Sequence, residues 1–285
     1  MNKLYHIFNE GNNVLFREEA DYIFFNNKFA ASCYAFRIQP LALTTMSTHF
    51  HALVETSEEA ILGVFCSKLK KSYALYYRFK YGYTLGDTFM IHIVGVVGVD
   101  SAKNEMLYVL KNPVHHYVAS YPLAYPYSSV SYLFMDLLMP PSFIEAIRIS
   151  TLSVGELTFR RKKQLVCMDQ IPDDWRVMEN NMILPLSYIN TSRARAFWNN
   201  NVKAFMFDIN KNQTDAKQEV IGADVLDLRC SGKTDSEVCR IIDAFAKESG
   251  HQSFHQINRH QTENLCRVLK QHAVNESQMR RCLWL

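Results

Sequence analysis

The sequence has no clustered cysteines and no long apolar run, and each absence excludes a class of protein. Its seven cysteines are scattered and none forms a Cys-x-x-Cys pair, so we expect no zinc site built from cysteines. An odd, scattered set is typical of reduced and mostly buried thiols. No apolar run reaches the roughly 18 residues of a membrane-spanning helix. The polar residues within Met1–His6 do not fit a signal peptide, so we expect a cytoplasmic protein with no membrane partner.

The sequence also lacks a strong excess of either charge, low-complexity tracts and long repeats. The formal net charge is +3 over 285 residues, and the isoelectric point is about 8.4. Composition therefore neither requires nor excludes a nucleic acid partner. The chain is 48% hydrophobic, which suits a folded protein, and it is longer than one typical domain.

Hydrophobic periodicity in the first half predicts both strands and helices. The predicted order is strand, helix, strand, strand, helix, strand, helix, with a domain boundary near Met139. Pro113 is expected to end the last of these helices, because the residue before proline is pushed out of the helical region. Together these elements predict an α+β domain. The predicted strands cover 4–8, 34–43, 49–55 and 89–97, and the predicted helices cover 17–33, 58–80 and 102–112.

The C-terminal sequence predicts further helices. Thr234 and Glu237 match a capping box, and Thr262 and Asn275 are predicted to cap two more helices. A turn at 273–275 between the last two helices is the support for a DNA-recognition unit of the helix-turn-helix type. A purely packing role for these helices is the alternative.

Two histidines lie two residues apart in a predicted strand. Residues i and i+2 of a strand project from one face, so the rings of His49 and His51 would lie side by side. Two adjacent imidazoles form a ready pair of metal ligands. The alternative is two histidines on a half-exposed strand, because His-x-His alone is a weak motif.

A tyrosine and an asparagine lie four residues apart in the predicted helix before Pro113. Residues i and i+4 share a helix face, so Tyr108 and Asn112 would point the same way. A tyrosine hydroxyl can attack phosphorus and form a covalent intermediate, and an amide oxygen can complete a metal site. The alternative is a half-buried tyrosine that only packs.

These motifs and two others resemble the REP-associated tyrosine transposases, which are single-tyrosine members of the HUH group. Ser47–Val54 resembles the family's strand with two histidines around a bulky apolar residue. Tyr108–Val114 resembles its helix in which tyrosine precedes asparagine and proline. Tyr125–Ser129 is similar to the aromatic-Ser-Ser segment that follows, and Gly11–Phe16 is similar to an N-terminal Gly-Asn-Asn segment. All four matches occur in the family's order within the first half of the chain.

The resemblance implies a fold, a cofactor and a reaction. The implied fold is a ferredoxin-like antiparallel sheet with packed helices, the HUH endonuclease fold, followed by a mostly helical C-terminal region. His49, His51 and Asn112 would hold one divalent cation, Mg²⁺ or Mn²⁺. Tyr108 would cleave single-stranded DNA at hairpins or repeats through a covalent 5′-phosphotyrosine and then transfer the strand.

Two segments depart from the family pattern. The two residues before His49 are serine and threonine where relatives usually carry proline and asparagine. Residues 88–99 are apolar where relatives often carry aromatic, glutamine and arginine residues. These departures affect the expected DNA contacts more than the chemistry.

We divide the chain into a catalytic domain over 1–139, an accessory region over 140–230 to which the sequence assigns no role, and a helical region over 231–285 that is a candidate for DNA binding.

Basic and aromatic residues on the second predicted helix form a candidate DNA-binding surface. Lysine and arginine neutralise phosphates and aromatic rings stack on unpaired bases, which suits single-stranded or hairpin DNA. An amphipathic helix with a solvated basic face is the alternative. A DNA partner would place the protein at the nucleoid. The candidates are Lys68, Lys70, Lys71, Tyr77, Arg78 and Lys80, with Arg160 and Arg161 as a second basic site.

Several functions fit these patterns. The favoured one is an active enzyme that nicks and joins DNA, because His49, His51, Tyr108 and Asn112 are all present. The main alternative is a domesticated repeat-DNA-binding protein with weak or no cleavage. A metal-dependent hydrolase that uses water, and a replication initiator of the same superfamily, are further alternatives. The sequence leaves open whether the protein is a monomer or a homodimer.

Overall fold

A four-stranded antiparallel sheet organises the first part of the chain. The computed structural model describes residues 2–116, 118–167, 169–211 and 232–285. The elements are β1 (Lys3–Glu10), α1 (Glu19–Ala35), β2 (Gln39–Thr45), β3 (Phe50–Thr56), α2 (Glu59–Tyr81) and β4 (Met90–Val96). The strand order in the sheet is β2-β3-β1-β4. Helix α1 connects β1 to β2 and helix α2 connects β3 to β4, which is the βαββαβ order of ferredoxin-like folds. The predicted α+β class is confirmed.

The two faces of the sheet carry different helices. Side chains alternate between the faces along each strand. The ring of Phe50 on β3 packs 4.7 Å from that of Phe25 on α1, and the hydroxyl of Tyr5 on β1 donates to Glu59 of α2 at 3.0 Å. A third helix, α3 (Val99–His115), contacts β2, β3 and β4. Residues next to Tyr5 and Phe50 in sequence therefore face α3.

Helix α3 continues through Pro113, so the predicted stop at this proline is wrong. Proline lacks the N–H that would bond to the carbonyl of Val109. Only this one hydrogen bond is lost, because Pro113 lies in the final turn and the helix ends two residues later. The carbonyl of Pro113 then accepts from the N–H groups of Val118 at 2.9 Å and Ala119 at 3.1 Å. These bonds anchor the chain as it leaves the helix.

Helix α1 also runs further than expected, which shortens the predicted strand at 34–43. The helix ends with Arg37 in the left-handed region, at φ 53°. The N–H of Arg37 donates to the carbonyl of Tyr34 at 3.2 Å, and that of Ile38 donates to Cys33 at 2.9 Å. This pattern is a Schellman motif, which is usually built on glycine. The register of β2 shifts between Pro40 and Ala42, and proline is tolerated at such an irregularity because it has no N–H to donate.

The middle of the chain packs on the same hydrophobic cluster as the sheet. Helix α1 is buried between the sheet and this region, which explains its lack of a polar face. Lys28 of α1 bonds to the carboxylate of Asp169 at 2.5 Å and to the carbonyl of Val166 at 3.0 Å. The domain division at 139 and 230 stays a prediction, and 212–230 lie outside the described residues. The elements are α4 (Met135–Leu138), α5 (Pro141–Ser150), β5 (Leu152–Ser153), α6 (Phe159–Val166), β6 (Arg176–Val177), α7 (Thr191–Arg195) and α8 (Val202–Asn210).

Three C-terminal helices form a second hydrophobic cluster. They are α9 (Asp235–Glu248), α10 (Arg259–Gln271) and α11 (Glu276–Leu283). The capping box of Thr234 and Glu237 is confirmed, as is the cap by Asn275. The predicted cap at Thr262 is wrong, because Asn258 accepts from the N–H of Gln261 and starts the helix earlier. None of the helices in the described ranges has both the length and the apolar character of a membrane span.

The C-terminal helices dock beside the turn that precedes His49. The hydroxyl of Ser47 donates to Asp235 at 2.7 Å. The N–H of Val14 donates to the carbonyl of Arg281 at 2.8 Å, and the indole of Trp284 donates back to the carbonyl of Val14 at 3.0 Å. These helices thus contact the segment that follows β1 and the turn that precedes β3.

Candidate active site

The turn between β2 and β3 fixes the position of His49. The carbonyl of Ser47 accepts the backbone N–H groups of Leu15 and Phe16, both at 2.9 Å. His49 lies directly before β3, one residue outside the strand, and its Nδ1 atom is 2.7 Å from the hydroxyl oxygen of Thr48. A hydroxyl can donate or accept, so this contact serves either ring tautomer. Burial lowers the pKa of His49 to about 4, and the nearby His116 contributes. The ring is therefore neutral at pH 7, as a metal ligand must be.

Asn112 brings α3 to the same point. Its Oδ1 atom lies 2.9 Å from Nε2 of His49. The side chain is fully buried, and its Nδ2 atom has no hydrogen-bond partner among the described residues. The neighbouring Lys111 points away and bonds to the backbone carbonyls of Asp208 and Lys211 at the end of α8. These contacts hold α3 on its outer side while Asn112 faces the sheet.

Tyr108 lies one turn before Asn112 on the same face of α3. Its ring centre is 5.2 Å from that of His51 and 5.9 Å from that of His6, both at edge-on angles. The side chain is half-buried. Burial raises the pKa of the Tyr108 hydroxyl, and the negative charge of Glu105 raises it further. The surrounding protein therefore favours the protonated phenol, and activation requires an added positive charge or a base.

His51 is held by residues that the motif analysis did not identify. Its Nδ1 atom lies 2.9 Å from Nε2 of His6 on β1. The other nitrogen of His6, Nδ1, lies 2.6 Å from Oε1 of Glu105 on α3. His6 and His51 are only 5% and 6% exposed. The sequence did place His6 within a predicted strand, now β1. Its pairing with His51 depends on the register between β1 and β3.

Two of the three predicted ligands have the spacing of neighbouring ligands of one ion. Nε2 of His49 and Oδ1 of Asn112 face one another at 2.9 Å, which is close to the ~3 Å between adjacent ligands of an ion with bonds of about 2.1 Å. The ring centre of His51 lies 5.0 Å from that of His49. Among the described residues, no group of three or more histidine, cysteine or acidic side chains is arranged to hold a metal. A site with three protein ligands that include His49 and His51 would thus need the amide of Asn112 as its third.

Comparison with known proteins gives one distant match. No family model matches the chain, and no curated protein sequence does so. Among solved structures, a REP-associated tyrosine transposase bound to a REP hairpin matches with a TM-score of 0.40 and 12% sequence identity. The match covers 48% of this chain and 82% of that chain. The relationship is structural and distant.

The predicted DNA-binding residues on α2 lie across the sheet from Tyr108. Tyr77 is buried, and its hydroxyl is 3.2 Å from Nε2 of His255, so its ring has no open face for a base. Lys80 pairs with Glu18 and Asp21. These two side chains hold the fold together in this structure.

The other basic candidates differ in how much they are engaged. Lys68 pairs with Asp169 at 2.8 Å, and Lys70 lies 3.0 Å from the sulfur of Met90. Arg161 donates to Asn181 at 3.0 Å. The exposed candidates are Lys71, Arg78 and Arg160. A DNA role for these residues stays a prediction, and it requires DNA to extend beyond the face that carries Tyr108.

Proposed function

We propose that the protein is a metal-dependent endonuclease and strand transferase of single-stranded DNA, with hairpin or repeat DNA as its substrate. Tyr108 is the nucleophile, and His49, His51 and Asn112 hold one Mg²⁺ or Mn²⁺ ion. The main support is that β3 and α3, which are far apart in sequence, bring these four side chains together. Structural packing alone gives no reason for this combination of a phenol, two imidazoles and an amide.

The proposed reaction exchanges one phosphate ester for another. The Tyr108 oxygen attacks phosphorus, the bond from phosphorus to the 3′-oxygen breaks, and the released 3′-hydroxyl gains a proton. The 5′-phosphate is then esterified to the tyrosine. Attack by a 3′-hydroxyl reverses these steps and joins strands. When bound, the cation supplies charge stabilisation to the phosphate oxygens.

The chain's own residues have two tasks in this scheme. The ligand side chains hold the phosphate beside the half-buried phenol, so that attack occurs within one complex. The phenol must also lose its proton, and burial together with Glu105 raises its pKa. A nearby positive charge acts in the opposite direction. The proposal therefore predicts cleavage only with divalent cation present.

The direct test is detection of a covalent protein–DNA adduct. Full-length protein is mixed with a labelled library of single-stranded hairpins and Mn²⁺ or Mg²⁺, and the products are separated on denaturing gels. We expect a shifted band in the wild type that disappears in Tyr108→Phe and with chelator. Tyr34→Phe is the matched control, because Tyr34 is an exposed tyrosine outside the site. DNA binding by Tyr108→Phe should persist.

The other outcomes identify the alternatives. Cleavage without an adduct, unchanged in Tyr108→Phe, would support the hydrolase that uses water. Binding of hairpins with neither cleavage nor adduct would support the repeat-DNA-binding protein. Cytoplasmic location at the nucleoid follows from a DNA substrate and is part of the same proposal.

A further inference from the structure

His51 is hydrogen-bonded to His6, and His6 in turn contacts the carboxylate of Glu105. We infer that His6 and Glu105 are positioning residues, which fix His51 in the tautomer that turns an unprotonated Nε2 atom toward the cation. The inference rests on the proposed function, since it assigns these two residues a role in the same site. Neither residue belongs to the predicted ligand set.

The direction of the chain follows from the chemistry of its end. An ionised carboxylate only accepts hydrogen bonds, so Glu105 must accept from Nδ1 of His6, 2.6 Å away. In a neutral ring the other nitrogen is then an acceptor. The inference takes His6 as neutral, and its Nε2 atom then accepts from Nδ1 of His51 across 2.9 Å. With its proton on Nδ1, His51 has a lone pair on Nε2.

This arrangement matches what metal-binding histidines usually need. A ligating imidazole donates its other N–H to a second group, which sets the tautomer and orients the ring. For His49 that second group is the hydroxyl of Thr48, which serves both tautomers and does not choose between them. With His6 neutral and Glu105 ionised, the hydrogen bonds from His51 through His6 to Glu105 run in one direction. The tautomer of His51 is therefore set before the cation binds.

The hydrogen bonds of His6 connect the sheet to helix α3. His6 lies on β1 between β3 and β4, while Glu105 lies on α3, three residues before Tyr108. A buried pair that only filled space would not require a carboxylate at its end. The contact from His6 to Glu105 also fixes α3 against the sheet at the level of the nucleophile.

The test uses the full chain and has two readouts. The tautomer of His51 is read from ¹⁵N chemical shifts of the imidazole nitrogens after chelation of metals, and Mn²⁺ affinity is measured by titration with Mn²⁺ alone. We expect the Nδ1–H form of His51 in the wild type. His6→Ala should mix the tautomers and weaken Mn²⁺ binding by roughly 10- to 100-fold, as losses behind a ligand usually do.

Two variants separate positioning from simple damage to the fold. His6→Gln keeps an acceptor for His51 and should restore most of the Mn²⁺ affinity and the Nδ1–H form. His92→Ala is the matched control, because it removes another imidazole from the same face of the sheet and should leave both readouts unchanged. Glu105→Gln should give intermediate values, because its amide can reverse the direction of the chain.

An Nε2–H tautomer in the wild type would overturn the inference. So would a His6→Ala variant that is folded and binds Mn²⁺ within roughly tenfold of the wild type. Failure of the proposed function looks different. In that case the tautomer and Mn²⁺ results hold, yet no Tyr108 adduct forms with any hairpin. If a Tyr108 adduct forms but His51 is in the Nε2–H form, the proposed function stands and the positioning role of His6 does not.

Discussion

The Nε2 atom of His49 lies 2.9 Å from the Oδ1 atom of Asn112, although 63 residues separate them in the chain. His49 directly precedes the central strand β3, and Asn112 lies in the last turns of helix α3, which packs on that strand. Both side chains are buried. A neutral imidazole and an amide oxygen that face each other in this way have the atoms and the spacing of two ligands of one ion.

Substitution of Asn112 tests this relationship. We expect Asn112→Ala to weaken Mn²⁺ binding by more than the roughly 10- to 100-fold typical of changes behind a ligand. Asn112→Asp keeps an oxygen donor of the type that Mg²⁺ and Mn²⁺ prefer, so it should retain binding. Calorimetric titration with Mn²⁺ measures both. If the alanine variant binds Mn²⁺ like the wild type, Asn112 is not a ligand.

Much of this site could be predicted from local patterns. The i, i+2 spacing of His49 and His51 and the i, i+4 spacing of Tyr108 and Asn112 each define one face of one element. Strong periodicity likewise identified the strands and helices of the sheet domain, with errors at their ends. Spacing along the sequence predicts which side chains lie together within one strand or helix, but it does not predict contacts between two such elements.

The remaining features depend on contacts between distant segments. His6 joins the site because β1 pairs with β3 in one particular register, and Glu105 joins because α3 docks over that strand. Nothing in either segment alone specifies such a contact. The same applies to Ser47 and Asp235, whose 2.7 Å bond links the β2–β3 hairpin to the C-terminal helices.

The docking of the C-terminal helices should weaken in acid. Burial, together with the positive charge of Arg17, lowers the pKa of His255 to about 3. The unfolded chain takes up this proton below pH about 6.5, whereas the folded chain does not until about pH 3. The unfolded state therefore binds more protons in this window, and stability falls as pH falls.

Denaturant unfolding at several pH values measures this effect. His255→Gln, which can still bond to Tyr77, should show a smaller loss of stability between pH 7 and pH 5 than the wild type. His260→Gln is the control, since His260 is exposed on α10 and should follow the wild type. Equal pH dependence in all three proteins would mean that His255 protonates freely in the folded state.

Asp243 should stabilise the fold mainly by neutralising Arg17. The Arg17 side chain is fully buried, and its guanidinium donates to Asp243 at 2.7 Å and to the carbonyl of Cys282 at 3.1 Å. Asp243→Ala leaves a buried charge without its partner, which typically costs about 3–5 kcal/mol. We expect the lower end, because Asp243 itself is partly exposed.

The double variant Arg17→Met/Asp243→Leu should recover much of that loss. Replacement of a buried pair by apolar residues of similar volume is often neutral or stabilising. Urea unfolding of the single and double variants gives the comparison. A double variant as unstable as Asp243→Ala would mean that Arg17 stabilises through its bond to Cys282 and its packing on Phe254, 4.1 Å from the ring centre.

Arg37→Gly should stabilise the protein by about 0.5–1 kcal/mol. Arg37 is exposed and adopts a φ of 53° at the end of α1, where a side chain strains the backbone and glycine does not. The two bonds of the Schellman motif use backbone atoms and survive the change. Arg267→Gly, an exposed arginine inside α10, should instead destabilise by about 1 kcal/mol. Thermal unfolding of both variants measures the difference. If both substitutions lower the stability equally, the left-handed turn after α1 carries no strain.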